Sequence, residues 1–183
     1  MVDSGRDWGV TEEMRRARNA VRLSTCYPPF AARIASLIGA LESRAFRPRI
    51  DQSYRTPAEH EAQVATGTSH SSWSFHMATT PDGQPSALAV DLLDDDYPVP
   101  SPSQHQWPQR FRAYLLTLAS LASNYDLHTG IAWDLPAEAR IRLATALGTD
   151  PLAYDGPIGF DPTHIEPRSL SLIAAKVGKR PEW

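Results

Sequence analysis

Residues 87–93 read Ala-Leu-Ala-Val-Asp-Leu-Leu, a stretch apolar on both faces with a single carboxylate, Asp91, set inside it. Side chains alternate along a strand, so a run that is apolar on both faces belongs in a sheet covered on both sides. The stretch therefore predicts an interior strand, and with it a domain that has a core. Asp91 is the informative exception. A carboxylate taken out of water costs several kcal/mol unless hydrogen bonds, a cation or a metal compensate it. Asp91 thus caps a neighbouring element, pairs with an arginine, or ligates a metal.

On the N-terminal side, 79–86 (TTPDGQPS) holds two prolines around Asp82-Gly83 and reads as an exposed turn, preceded by Trp73-Ser74-Phe75-His76 and a polar loop over 67–74. Thr56-Pro57-Ala58-Glu59 combines an N-cap, a proline at the first helical position and a glutamate at N3, which predicts a helix from Pro57 to Ala65. A short strand is expected over Arg49 to Tyr54. Before it, Phe30, Ile34, Leu37, Ile38 and Leu41 recur at helical spacing after Pro28-Pro29.

On the C-terminal side, Asp94, Asp95 and Asp96 are expected to return to solvent, followed by a proline-rich loop from Tyr97 to Pro108. Phe111, Tyr114, Leu115, Leu118, Leu121, Ala122 and Tyr125 form one helical stripe. Leu127 to Trp133 fits a strand, Pro136 to Leu147 a further helix, and Phe160 to Glu166 a short strand. Residues 1–27 are polar and arginine-rich and read as an arm or a short surface helix, leaving 28–183 as the single domain.

A chain of 183 residues can bury such a core without staples. Its one cysteine, Cys26, rules out a disulfide framework or a multi-cysteine zinc site, so a metal would have to rest on histidines and carboxylates. Cys26 itself reads as a structural thiol. The net charge of −3 lacks the basic footprint that phosphate-backbone binding needs, so nucleic acid is not an expected partner. No apolar run approaches the ~18 residues of a membrane span. Met1 to Arg18 is charged and lacks the plan of a signal peptide, so cytoplasmic synthesis is expected.

His76 and His164 sit beside Phe75 and Ile165 rather than in open loops. Each taken singly suits a hydrogen-bonded core histidine. With Asp91 they supply two nitrogens and one carboxylate, the ligand number of a catalytic zinc site that keeps one position for water. Such a site also needs a nearby base for the water's proton, and Asp161 lies three residues before His164. Among the other histidines, His60 is expected to face solvent, His105 and His128 to lie in loop-like surroundings, and His70 to line the cleft or replace a ligand.

Three blocks then occur in order: Tyr54-Arg55-Thr56 with Gln63; Ser74-Phe75-His76 leading to Ala87-Leu88-Ala89-Val90-Asp91; and Gly130-Ile131-Ala132-Trp133 leading to Asp161-Pro162-Thr163-His164-Ile165-Glu166. Together they resemble the zinc peptidases of the D-alanyl-D-alanine carboxypeptidase and L-alanyl-D-glutamate endopeptidase group, which includes many phage endolysins. The resemblance spans about residues 47 to 168. It implies an α+β domain of the hedgehog/DD-peptidase kind, a small antiparallel sheet with helices packed on one side. It implies Zn2+ held by His76, Asp91 and His164, with Asp161 as general base. Arg55 would act on the substrate or the oxyanion, with Gln63, Ser74 and Trp133 in the substrate cleft and Glu166 hydrogen-bonded to a ligand histidine. For Arg55 the alternative is a structural ion pair with Asp51 or Glu59.

The implied reaction is hydrolysis of an amide in the peptide stem of bacterial peptidoglycan. Two departures from the group's pattern bear on it, the long His76 to Asp91 spacing across 79–86 and the long Trp133 to Asp161 spacing. Both fall between motifs, so they alter the cleft rims and leave the bond cleaved open. The competing expectations are a catalytically inactive wall-peptide binding module of the same fold and a partner-binding protein that uses residues 1–27. A wall-directed enzyme without an export signal would reach its substrate by release or by delivery along another route.

Overall fold

The computed structural model describes residues 11–67, 69, 71–96 and 108–183. The chain is α+β, with a four-stranded antiparallel sheet in the order β1-β2-β4-β3, formed by β1 (Pro48–Gln52), β2 (Val90–Asp94), β3 (Leu127–Gly130) and β4 (Asp161–Pro167). Of the 87–93 run, only the part from Val90 onward lies in this sheet, as β2 between β1 and β4. Val90, Leu92 and Ile165 are buried on one face of the sheet. Asp91 and His164 are direct cross-strand partners and therefore share the other face.

The apolar face is covered by α2 (Pro28–Glu42) and α4 (Gln109–Ala122). The five apolar positions read in α2 are all buried, and α4 buries Phe111, Tyr114, Leu115, Leu118, Leu121 and Ala122. Tyr125 falls just beyond, in a 3-10 turn, because α4 ends at Ala122. The helix α3 (Pro57–Ala65) carries the expected capping box, with Thr56 and Glu59 each bonded to the other's backbone N–H. The strand expected to reach Trp133 ends at Gly130, where the chain turns instead. The helix expected from Pro136 is α5 (Ala137–Gly148), and a short α6 (Leu172–Lys176) follows the sheet.

Of the two readings of the N-terminal segment, an arm or a short surface helix, Glu12–Leu23 takes the second: it forms α1, packed on β1. Its Arg15 and Asn19 are buried. Asn19 accepts from the N–H of Ile50 at 2.8 Å and donates to the carbonyl of Pro48 at 3.0 Å, so its amide serves the outer edge of β1 as a neighbouring strand would. Arg15 also donates to Pro48 O at 2.8 Å and pairs with Glu42 at 2.8 Å. Most of α1 is exposed, and these contacts explain why its two buried residues are polar: their side chains complete an open sheet edge.

Asp94, expected in solvent, is instead fully buried. Its Oδ1 accepts from the N–H groups of Arg47 and Asp96 and so closes the end of the β1/β2 pair, while burial pushes its pKa up. Asp95 and Asp96 pair with Arg49 and Arg47 at 2.8 Å each. The proline-rich loop lies almost wholly outside the described residues, as do His70 and His105.

Candidate metal centre

The non-core face of the sheet forms the floor of a cleft of about 1620 Å³. Register alone places four polar side chains on that floor: Asp91 faces His164 across β2 and β4, and His128 faces Glu166 across β3 and β4. His76 reaches the same point from a 3-10 turn over Phe75–Met77, with the His76 N–H held by the hydroxyl of Ser74. Backbone bonds from Arg55 N to His76 O and from Leu88 N to Phe75 O, at 3.0 and 2.9 Å, fix that turn between the two chain segments beside it.

His76 Nε2, Asp91 Oδ1 and His164 Nδ1 form a triangle with edges of 3.4, 3.2 and 3.3 Å. The outward nitrogens decide the protonation of the inward ones. His76 Nδ1 lies 2.5 Å from the carbonyl of Ser53, and a carbonyl only accepts, so Nδ1 is the donor and Nε2 keeps its lone pair. His164 Nε2 lies 3.0 Å from Glu166 Oε2, which leaves the Nδ1 lone pair free. Three lone pairs then converge, an arrangement that only a cation or a proton reconciles. This buried group could hold a metal ion.

The electrostatics agree. Burial alone would raise the pKa of Asp91, but His76 and His164 outweigh it and hold the carboxylate below its ordinary range. Burial would lower His164, yet its bonds to Asp91 and Glu166 prevail and raise it to about 10. These shifts favour a proton at the centre when no metal is bound. Glu166, though buried, is lowered to about 2 by its bonds to His128 and His164.

Asp161 opens β4 opposite Gly130, and burial together with the charge of Asp91 raises its pKa. A side chain at Gly130 would place its Cβ 2.1 Å from the Asp161 carbonyl and 2.8 Å from the Trp133 ring, so the glycine permits this close approach. Trp133 leans on His164 with ring centroids 5.1 Å apart. Arg55, Gln63, Ser74, Trp133 and Asp161 all line the cleft with the triangle.

Arg55 is 7% exposed, and burial lowers its pKa. The ion pairs considered from the sequence are absent among the described residues. Asp51 instead pairs with Arg18 and Arg49, and Glu59 is engaged in the capping box. Arg55 rests on neutral partners, donating to Gln52 Oε1 and lying 3.4 Å from His60 Nδ1. His60 is thus buried rather than solvent-facing, with Nε2 at 2.8 Å from Ser71 O. Its hydrogen bonds go to uncharged side chains, and the carboxylates of Asp91, Asp161 and Glu59 act on it only through space, so the guanidinium keeps donors for an anion entering the cleft.

His128, expected in loop-like surroundings although the strand expected over Leu127 to Trp133 contains it, is on β3. Together with Ser53, Gln52 and His60 it escaped the sequence reading. Register against Glu166 is the signal that finds His128, and the contacts of the other three depend on tertiary approach. Cys26 is buried, and burial pushes its thiol up to about 12, consistent with an inert structural role. No family model, curated protein or solved structure matches the chain.

Proposed function

We propose that the chain is a zinc-dependent peptidase that hydrolyses an amide bond in the peptide stem of bacterial peptidoglycan. The observation that carries this reading is the convergence of three lone pairs from His76, Asp91 and His164 within a cleft that also holds a carboxyl of raised pKa and a buried arginine that makes no direct ion pair among the described residues. The donor set suits zinc. A tetrahedral ion with bonds of ~2.0–2.1 Å spaces its donors about 3.3–3.4 Å apart, close to the triangle's edges. Octahedral magnesium brings adjacent donors to about 2.9 Å and prefers oxygen. The peptidoglycan stem as substrate rests on the resemblance of the three sequence blocks.

When bound, zinc supplies Lewis acidity that polarises a scissile carbonyl and lowers the pKa of a water toward ~7. Asp161 accepts the water proton as the water oxygen bonds to the carbonyl carbon. The same proton passes to the amide nitrogen as the C–N bond breaks, which releases an amine and a carboxylic acid. Its raised pKa makes Asp161 a stronger base than an ordinary carboxylate. Arg55 offers its guanidinium to the oxyanion or to a substrate carboxylate, and Trp133 forms a rigid wall beside His164. Gln63 and Ser74 line the substrate's path.

The test is digestion of purified peptidoglycan with fragments read by mass spectrometry, for the wild type and Asp161→Asn. Newly released D-alanine assigns a carboxypeptidase; a new N-terminal D-glutamate assigns an endopeptidase. Asp161→Asn is expected to retain one zinc and lose hydrolysis by about 10²–10⁴-fold. Zinc binding without any wild-type hydrolysis would overturn the enzyme reading in favour of a binding module.

A further inference from the structure

We infer that His128, which lies outside every block of the resemblance, is a positioning residue of the metal centre that acts through Glu166. The inference rests on the metal-centre reading above. His128 on β3 stands directly opposite Glu166 on β4, so the two side chains share a face by register. His128 Nε2 lies 2.8 Å from Glu166 Oε1, and Oε2 of the same carboxylate accepts from His164 Nε2 at 3.0 Å. One carboxylate is therefore held at both oxygens by imidazoles, one a ligand and one at the cleft wall.

The arrangement differs from an ordinary surface ion pair. The Glu166 side chain is 14% exposed, and among the described residues no lysine or arginine pairs with it. His128 alone satisfies Oε1 there. The last torsion of a glutamate has a broad, weakly staggered profile, so one bond to His164 would not fix the plane of the carboxylate. The second bond does. It holds Oε2 against His164 Nε2–H, which in turn keeps the Nδ1 lone pair aimed at Asp91 and His76. Loss of such an outer partner typically weakens metal binding 10–100-fold.

The experiment measures zinc dissociation constants by competition with a chromophoric chelator, and the visible spectrum of the cobalt-substituted protein, for the full chain. His128→Phe keeps a ring and removes the donor; it is expected to weaken zinc binding about tenfold and to shift the cobalt bands. His128→Gln retains an N–H and is expected to bind within about threefold of wild type. In a Glu166→Gln background, adding His128→Phe should cost nothing further, since the path runs through the carboxylate. Circular dichroism of the metal-free variants checks the fold, and His128→Ala replaces His128→Phe if the latter misfolds. Zinc binding by the wild type with unchanged affinity in His128→Phe overturns the inference alone. So does an equal loss on adding His128→Phe in both backgrounds. A wild type that binds neither zinc nor cobalt overturns the inference together with the metal-centre reading.

Discussion

Lowering the pH from about 9 to about 6 is expected to weaken zinc binding by roughly a thousandfold, one decade for each pH unit. In the metal-free protein the His164 imidazole lies between Asp91 Oδ1 at 3.2 Å and Glu166 Oε2 at 3.0 Å. Burial opposes its charge, but the two carboxylates prevail and raise its pKa to about 10. Zinc at Nδ1 must displace the proton held there. Each ion bound below that pKa therefore releases one proton from His164, and the cost is about 1.4 kcal/mol per pH unit. A histidine of ordinary pKa, ~6.5, would produce that slope only in acid and a flat profile above it.

The effect on folding has the opposite sign. A raised histidine pKa contributes stability that is fully present below the unfolded value of ~6.5 and is lost as pH rises through about 10. The metal-free protein should thus lose thermal stability across this window, while the gain from added zinc grows. Calorimetric titration in buffers of different ionisation enthalpy counts the protons, with about one expected per zinc near pH 8 from this group. An affinity that stays flat above pH ~7.5, with no proton released, would refute the reasoning.

Three further outcomes follow from the geometry. Gly130→Ala would place a methyl 2.1 Å from the Asp161 carbonyl, which must retreat by about 1 Å; a displacement of that size costs on the order of 10²-fold in turnover, measured as kcat on wall peptide. Arg55→Lys keeps the charge but cannot reproduce the planar fork resting on Gln52 and His60; kcat/KM should fall about 10²-fold or more with zinc affinity unchanged. Asn19→Ala leaves the Ile50 N–H and a bond to Pro48 O without the amide, and urea denaturation should show a loss of about 1–3 kcal/mol.

The α2 and α4 stripes and the α3 capping box were legible because each depends on local periodicity or end chemistry, whereas the α+β class was implied by the resemblance of the three blocks. Asp91 was legible because a lone carboxylate in ALAVDLL contradicts its surroundings, and that conflict marked the strand that carries it into the centre. The same reasoning failed for Arg15, Asn19 and Asp94. Each is polar in a polar stretch, so nothing local shows that it completes the outer edge of β1 or closes the end of the β1/β2 pair. His128 was hidden for a related reason. Its partner Glu166 is remote in sequence, and only the β3/β4 register brings them together. His60 looked solvent-facing because helical position alone does not reveal that the chain around Ser71 and Arg55 folds over it.

The amide of Asn19 against β1 also changes where the protein can be cut. A truncation beginning at Pro28, which the composition suggests as a natural boundary, would remove the only side-chain amide that serves the β1 edge among the described residues and bare a strand ready to recruit another copy. Such a fragment could retain every ligand of the metal centre and still be lost to self-association. For expression and for fusion partners, the working unit begins at or before Thr11, whose hydroxyl caps α1. The edge strand that α1 shields is thus the immediate neighbour of β2, which with β4 forms the central pair of strands that carries the candidate metal centre.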